Sequence, residues 1–202
     1  MRLGIYGGSF DPVHYAHLLL AETARETCQL DRVIFVPAGI PPHKQGCRQA
    51  SGEDRFRMLC CATSCVPEFE VSRFEIDSEG ISYTIRTLEH FHREWPDAEL
   101  FLITGSDTLN DIPNWYRAAD VCALASLIVA RRPGGPEPDF SRFSGLIPDE
   151  RQRLFQRQVI SMPLLELSST RIRQSVGQWR SIRFQTPPEV VRYIQEHRLY
   201  LC

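Results

Sequence analysis

The sequence predicts a doubly wound α/β fold, in which helices cover both faces of a parallel sheet. Short apolar runs alternate with amphipathic stretches along the chain, and such alternation produces parallel sheets. Polar and glycine-rich segments follow several predicted strands, at the sheet edge where ligands bind in these folds. No internal repeat, low-complexity tract or linker divides the 202 residues. We therefore expect a single domain over residues 1–202, with a small helical extension at its C-terminal end.

Six segments have the pattern of strands. Residues 2–6 are a short apolar run that Gly7-Gly8 ends. Residues 32–36 are continuously apolar, as expected of a strand buried on both faces. The other predicted strands are residues 69–74, which alternate in polarity, 100–104, 127–130 and 159–162.

Helical spacing occurs between the strands. Ser51 is the predicted N-cap of a helix over residues 51–64, with Asp54 three positions later as a variant of the capping box. Segments 37–52 and 133–145 are rich in proline, glycine and polar residues and are predicted loops. The other predicted helices are residues 17–28, 83–94, 115–123 and 150–156, a short helix from Ser168, and the last helix over 187–197.

Composition and charge exclude several classes of protein. Hydrophobic residues make up 43% and charged residues 24% of the chain, which is typical of globular rather than disordered or fibrous proteins. A net charge of −2 gives no general attraction to nucleic acid or anionic membranes, so any phosphate recognition must be local. The longest apolar run, residues 121–130, is too short for a membrane helix of about 20 residues. No signal peptide is visible, and we expect a cytoplasmic protein.

The cysteines predict neither a disulfide framework nor a metal centre. Their number is seven, which is odd, and no export signal accompanies them. Cys61 and Cys65 could share a helical face, but a structural zinc site needs four ligands and no second pair follows. A redox or metal protein is therefore a weak alternative, and we expect the cysteines to be small buried residues.

The first candidate site is the segment GGSFDPVHYAH, residues 7–17, after the first predicted strand. Neither a P-loop nor a G-x-G-x-x-G motif is present in the chain. His14 and His17 are three residues apart and share a face at the start of a predicted helix. The unpaired N–H groups and partial positive charge of a helix N-terminus attract phosphate oxygens. We expect a nucleotide to approach this small-residue loop, with both imidazoles at its phosphates.

Two further segments offer phosphate ligands. Residues 167–173, LSSTRIR, place hydroxyl groups at a predicted helix start, where they are either ordinary N-caps or ligands of a triphosphate. Lys44 is the only lysine among 23 basic residues, and an ammonium can follow a moving phosphate better than the rigid guanidinium fork. Because these segments follow strand ends, we expect them to converge on one cleft together with residues 7–17 and 105–107.

Together, these segments resemble the nucleotidylyltransferases related to class I tRNA synthetases. Residues 7–17 are similar to the G-x-F-x-P-x-H-x-G-H signature, with Ala16 at the usual glycine position. Residues 167–173 are similar to the I-S-x-T-x-I-R signature, with Leu167 replacing isoleucine and Arg173 matching the motif arginine. The resemblance implies the Rossmann-like nucleotidylyltransferase fold.

The middle of the chain is similar to one branch, the nicotinate-nucleotide adenylyltransferases. The matching segments are P-x-x-x-P-P-H-K at 37–44, S-Y-T-x-x-T-L at 82–88, G-x-D at 105–107 with W-Y at 115–116, and R-P-G at 132–134. The resemblance implies that AMP is transferred from ATP to nicotinate mononucleotide, giving nicotinate adenine dinucleotide and pyrophosphate. It implies Mg²⁺ bound through the ATP phosphates, with no metal site on the protein itself.

The same resemblance implies roles for individual residues. Four are implied to be catalytic: His14, His17, Lys44 and Arg173. The implied ATP-binding set is Gly7, Gly8, Ser9, Phe10, His14, His17, Gly105, Ser168, Thr170 and Arg173. The implied set for nicotinate mononucleotide is His43, Lys44, Thr84, Asp107, Trp115, Tyr116 and Arg132. Within it, backbone N–H groups of Thr84 and Tyr116 would hold the carboxylate, Trp115 the pyridine ring and Asp107 the ribose.

Two alternatives stay open at this point. One is a sister adenylyltransferase that acts on nicotinamide mononucleotide or pantetheine phosphate. The segments 82–87 and 115–116 have no evident role with pantetheine, but the choice between acid and amide is less clear. The other is an RNA-binding module derived from a synthetase core, which the net charge of −2 disfavours. We expect ATP and nicotinate mononucleotide as partners, without nucleic acid or membrane, and the sequence leaves the oligomeric state open.

Overall fold

One sheet of six strands organises the chain in the computed structural model, which describes residues 1–39, 50–131, 137–163 and 165–201. The strand order is β3-β2-β1-β4-β5-β6, as in doubly wound folds, and β1 pairs with β4, β4 with β5 and β5 with β6 in parallel. The predicted fold class is confirmed. The strands are β1 (Arg2–Gly8), β2 (Arg32–Pro37), β3 (Phe69–Val71), β4 (Glu99–Gly105), β5 (Ala125–Arg131) and β6 (Val159–Ser161).

Helices connect the strands. The cap of the second one is as predicted: Ser51 Oγ accepts a hydrogen bond from the Asp54 N–H at 3.0 Å and donates one to Asp54 Oδ2 at 2.6 Å. The last helix is the predicted C-terminal extension. The bounds are α1 (Tyr15–Thr27), α2 (Gly52–Thr63), α3 (Phe74–Asp77), α4 (Thr84–Glu94), α5 (Ser106–Leu109), α6 (Ala118–Leu124), α7 (Asp149–Arg157), α8 (Ser169–Gly177) and α9 (Pro188–Glu196).

Two predicted elements are wrong at one end. The strand predicted over 69–74 ends at Val71, because Ser72 Oγ accepts a hydrogen bond from the Phe74 N–H at 3.2 Å and starts a turn into α3. The helix predicted over 115–123 begins only at Ala118. The residue before it, Arg117, has a left-handed φ of 55°, so the chain turns there before it becomes helical.

The contacts divide the chain into two compact units, each assembled from three segments. The first unit comprises Met1–Gly7, Leu20–Ile34 and Tyr83–Leu164; the second comprises Gly8–Leu19, Phe35–Ser82 and Leu165–Cys202. A single domain over residues 1–202 remains a prediction.

Each unit has its own apolar centre. In the first, every residue of β5 except Arg131 is buried, as is the middle of β4. In the second, the rings of Phe10, Phe35 and Phe69 form a row with centroids 5.7 and 5.3 Å apart, and this row supports the loop after β1. Among the described residues, no helix is both long and apolar enough to cross a membrane.

Candidate active site

The loop after β1 brings two imidazoles into contact at the start of α1. The rings of His14 and His17 stack with centroids 3.7 Å apart and planes at 15°. The backbone N–H of His14 donates to Nδ1 of His17 at 3.2 Å. Because Nδ1 accepts, the neutral His17 ring carries its proton on Nε2 and can donate there to a ligand.

His14 is the more buried of the two, with 5% of its surface exposed. Burial disfavours the imidazolium and lowers the pKa of His14 from 6.5 to about 4, although a backbone hydrogen bond opposes this shift. The ring is therefore neutral near pH 7. Its Nδ1 atom is buried and has no hydrogen-bond partner among the described residues.

The Phe10 ring packs against the His17 ring of this pair. Phe10 is 2% exposed, and its ring meets the ring of His17 edge-on, at a centroid distance of 5.1 Å. A Cβ atom on Gly8 would lie 2.9 Å from the Phe10 ring, so only glycine fits there without moving the ring. The buried ring is therefore positioned to hold His17.

The second signature segment is bound to the first loop within the second unit. Ser169 Oγ donates to the carbonyl of Pro12 at 2.9 Å, and Arg173 Nη1 donates to the carbonyl of Asp11 at 2.7 Å. Ser168 is the N-cap of α8, but its side chain makes no capping hydrogen bond within the described part of the chain. Thr170 is exposed. Hydroxyl groups and helical N–H groups therefore lie beside the histidine loop.

A buried arginine that no signature contains braces the same loop. Arg55, on α2, is 3% exposed and donates to the carbonyls of Ser9 at 2.9 Å and Ala50 at 3.3 Å. Burial lowers the pKa of Arg55, and the charge of Asp11 opposes this shift. The sequence contains a signal for it: Arg55 stands in the apolar stripe of α2, one turn before buried Met58 and Leu59.

In the first unit, two glycines leave the backbone accessible at the ends of paired strands. Gly7 lies near the end of β1 and Gly105 ends β4, and these two strands pair in parallel. A Cβ atom on either glycine would meet no atom of the described residues within 4 Å. A ligand can therefore approach the main chain closely at both positions.

The start of α4 supplies a second candidate binding surface in the first unit. Tyr83 is the N-cap of α4, so Thr84 is its first residue and has no acceptor for its N–H within the helix. The ring of Tyr83, which the sequence motifs did not single out for a role, lies 4.8 Å from the ring of Tyr116. Tyr116 is 56% exposed.

Arg117 fixes the turn that carries Trp115 and Tyr116. Its guanidinium contacts Glu89 on α4 at 2.8 Å and Asp120 on α6 at 2.6 Å. Trp115 is half-buried in this turn, outside α6, so it does not have the helical position predicted for it.

One further predicted site residue, Asp107, lies within the described part of the chain. Asp107 is exposed in the first turn of α5. His43, Lys44 and Arg132 lie outside the described residues. Among the described residues, no group of three His, Cys, Asp or Glu side chains could hold a metal ion. The cysteines described as free are Cys28, Cys60, Cys61, Cys65 and Cys122.

The amino-acid sequence is similar to those of a known protein family. A family model described as cytidylyltransferase-like matches residues 5–175. A relative from Thermomicrobium roseum is 40% identical over 98% of this chain and 91% of its own length, and one from Roseiflexus sp. is 43% identical over 98% and 97%. Both relatives are named as nicotinate-nucleotide adenylyltransferases.

Solved structures share the fold. The nicotinic acid mononucleotide adenylyltransferase of Plasmodium falciparum, complexed with NaAD, superposes with a TM-score of 0.75 at 18% identity, over 98% of this chain and 97% of that one. The same enzyme complexed with APC gives a TM-score of 0.72 at 18% identity, over 98% and 96%. At this identity, the likeness concerns the fold alone.

Proposed function

The chain belongs to the nicotinate-nucleotide adenylyltransferase family, and on that premise we propose which of its residues transfer AMP from ATP to nicotinate mononucleotide. The substrate phosphate attacks the α-phosphorus of ATP, a new P–O bond forms, and pyrophosphate leaves with the electrons of the broken bond. A phosphate monoester is already ionised near pH 7, so the site needs no strong base. Catalysis then consists of alignment and stabilisation of developing negative charge.

The observation that carries this proposal is the joining of the two signature segments. Arg173 and Ser169 bind the main chain of the loop that carries His14 and His17. We assign the Nε2–H of His17, the neutral ring of His14 and the guanidinium of Arg173 to the phosphates of ATP. Donors and a fixed cation at one loop suit charge that develops on phosphate oxygens.

The remaining ATP contacts are assigned to main chain and hydroxyl groups. Small residues at Gly7, Gly8 and Gly105 let the nucleotide approach the backbone, and Ser9 belongs to the same loop. Ser168 and Thr170 offer hydroxyl groups at the start of α8. For Phe10 we propose backbone contacts only, because its ring is buried.

Four contacts to the mononucleotide are assigned to residues of the first unit. The N–H groups of Thr84 and Tyr116 are proposed donors to the nicotinate carboxylate, since the first N–H groups of a helix lack internal acceptors. Trp115 offers a ring face to the pyridine, worth about 1 kcal/mol beyond burial. Asp107, exposed beside Gly105, is the proposed acceptor for ribose hydroxyls.

Three assignments depend on the sequence resemblance alone. Lys44 and His43 are proposed to neutralise substrate phosphate, and Arg132 to bind the mononucleotide.

Mg²⁺ is proposed to enter with ATP, because this ion is commonly held by substrate phosphates and water rather than by an all-protein cage. We also propose the cytoplasm as the compartment, since the described cysteines are free thiols and reducing compartments keep them so.

A pyrophosphate-release assay tests the proposed substrate. The purified full chain is supplied with ATP, Mg²⁺ and, in separate reactions, nicotinate mononucleotide, nicotinamide mononucleotide or pantetheine phosphate. We expect the highest kcat/KM with nicotinate mononucleotide. With pantetheine phosphate we expect no pyrophosphate release above background. A preference for pantetheine phosphate would contradict the proposal. Omission of Mg²⁺ from the reaction with the preferred substrate tests the metal requirement separately.

A further inference from the structure

The end of the chain is bound to the loop that carries the two histidines. The hydroxyl of Tyr200 donates to Asp11 Oδ1 at 2.7 Å, across 189 positions of sequence. Thr186 Oγ1 donates to the carbonyl of Val13 at 2.7 Å, and the N–H of Tyr15 donates to the carbonyl of Gln185 at 3.2 Å. The loop's conformation therefore depends on the C-terminal segment as well as on β1.

Asp11 is the centre of these contacts. It is 1% exposed, and its Oδ1 also accepts a hydrogen bond from the Ala50 N–H at 3.1 Å. Its Oδ2 lies 3.6 Å from Nη1 of Arg173 and has no hydrogen-bond partner among the described residues. A buried carboxylate of this kind is stable only when cations and donors surround it.

Arg173 is oriented mainly by Asp11. Its Nη1 donates to the Asp11 carbonyl at 2.7 Å and faces the Asp11 carboxylate at 3.6 Å. Its Nη2 reaches Thr170 Oγ1 at the longer distance of 3.4 Å. Its side chain retains 20% exposure, so a ligand can still reach part of the guanidinium group.

Tyr200 fixes the carboxylate in turn. Burial, followed by the charge of Asp11, raises the pKa of the Tyr200 phenol, so the phenol keeps its proton and always donates. The backbone of Tyr200 is left-handed, with φ of 63°, a conformation that non-glycine residues keep only when their surroundings hold it.

We propose that Tyr200 and Asp11 are positioning residues that hold the Arg173 guanidinium at the orientation needed for the phosphates of ATP. The proposal depends on the function proposed above for Arg173. It assigns no contact with substrate to either residue. Its consequence is that removal of one hydroxyl group at the end of the chain alters ATP utilisation.

The test compares two hydroxyl deletions on the C-terminal segment. Tyr200→Phe removes the hydrogen bond to Asp11. Tyr193→Phe is the matched control, because Tyr193 OH donates to Asp54 Oδ1 at 3.0 Å rather than to a residue of the histidine loop. For Tyr200→Phe we expect kcat/KM for ATP to fall about tenfold, less than the roughly 10²-fold that a 1 Å misplacement can cost, with KM for nicotinate mononucleotide unchanged. Tyr193→Phe should retain wild-type values for both substrates.

A double-mutant cycle separates this inference from the proposed role of Arg173. If Tyr200 acts through Arg173, Tyr200→Phe causes no further loss of ATP kcat/KM in an Arg173→Ala background. Multiplicative losses would show that Tyr200 acts independently and would overturn the inference. Wild-type activity in Tyr200→Phe alone, with Arg173→Ala impaired, would also overturn it while leaving the function of Arg173 intact. Wild-type activity in Arg173→Ala would instead refute the proposed function of Arg173, and the inference with it.

Asp11→Asn provides a second variant. Asparagine keeps an acceptor for Tyr200 and Ala50 but places a neutral amide opposite Arg173. We expect a larger loss of ATP kcat/KM than in Tyr200→Phe, again with little change in KM for nicotinate mononucleotide. An equal rise in KM for ATP and in KM for nicotinate mononucleotide would indicate a general structural role and would overturn the inference.

Discussion

The backbone N–H of His14 donates a hydrogen bond of 3.2 Å to Nδ1 of His17, and this contact determines which His17 nitrogen can donate to a phosphate. Nδ1 is occupied as an acceptor, so the proton of the neutral ring resides on Nε2. His14 and His17 are three positions apart at the start of a helix, so they are neighbours on one face.

His17→Ala should therefore lower kcat by about 10²–10³, the usual loss when one donor to developing negative charge is removed. The fold should survive, because His17 is only partly buried. The measurement is steady-state kcat with both substrates saturating, together with circular dichroism. His92→Ala, which removes an exposed imidazole from α4, is the matched control and should keep full activity. A folded His17→Ala enzyme with near-wild-type kcat would exclude the assigned role.

The buried His14 should make stability depend on pH. Its pKa is 6.5 in an unfolded chain and about 4 when folded, so below pH 6.5 the unfolded chain binds a proton that the folded chain does not. The unfolding free energy should fall as pH decreases from 6.5 toward 4, by a total of about 3 kcal/mol from this group. Above pH 6.5 the group has no such effect.

The His14 effect can be measured by chemical denaturation at several pH values between 4 and 6.5. Wild type should lose more stability than His14→Asn, which cannot titrate. Parallel pH profiles for the two proteins would show that His14 is not the group responsible.

Arg55 and Arg57 lie on the same helix and should differ sharply in their contribution to stability. Arg55→Met leaves the buried carboxylate of Asp11 with one cation fewer and removes the donors to Ser9 and Ala50. We expect a loss of about 3–5 kcal/mol in unfolding free energy. Arg57→Met removes an ion pair with Glu53 from a side chain that is 60% exposed, and pairs between exposed side chains contribute little to stability. Urea denaturation of both variants gives the comparison, and equal midpoints would argue against a structural role for Arg55.

The acid should be preferred over the amide at least about a hundredfold in kcat/KM, a cautious value below the range of about 10⁴–10⁵ seen where a polar match is required. A carboxylate accepts from both proposed N–H donors, whereas an amide must turn its NH₂ group toward one of them. The measurement is kcat/KM for both mononucleotides with one enzyme preparation. A ratio near one would remove the carboxylate roles of Thr84 and Tyr116.

Two substitutions at Thr84 test whether the backbone N–H enforces this preference. Thr84→Ala removes the hydroxyl but keeps the N–H, and should retain much of the preference. Thr84→Pro removes the N–H at the first position of α4, a position where proline is tolerated. The residue before proline must be extended, and Tyr83 already is, with ψ of 127°. We expect Thr84→Pro to reduce the preference by about tenfold or more, the effect of one hydrogen bond to a charged group. Equal preferences in the two variants would place the discrimination elsewhere.

The sequence by itself determined the order of the elements and the nature of the first loop. Apolar runs of strand length and the capping pair Ser51–Asp54 depend on neighbours a few residues apart, so they can be recognised without a tertiary structure. The spacing of His14 and His17 is equally local, which is why their shared face was predictable. The elements that failed, the end of β3 and the start of α6, depend on turns that periodicity does not reveal.

Only the tertiary structure decided which side chains support the loop that carries His14 and His17. Asp11 and Tyr200 meet across 189 positions, and Arg173 and Asp11 across 162; no local pattern specifies such partners. The burial of Arg55 likewise depends on carbonyl groups from Ser9 and Ala50 that folding brings to α2. A charged side chain becomes stable in an apolar stripe only after those partners arrive, and their arrival depends on the whole chain rather than on any one segment.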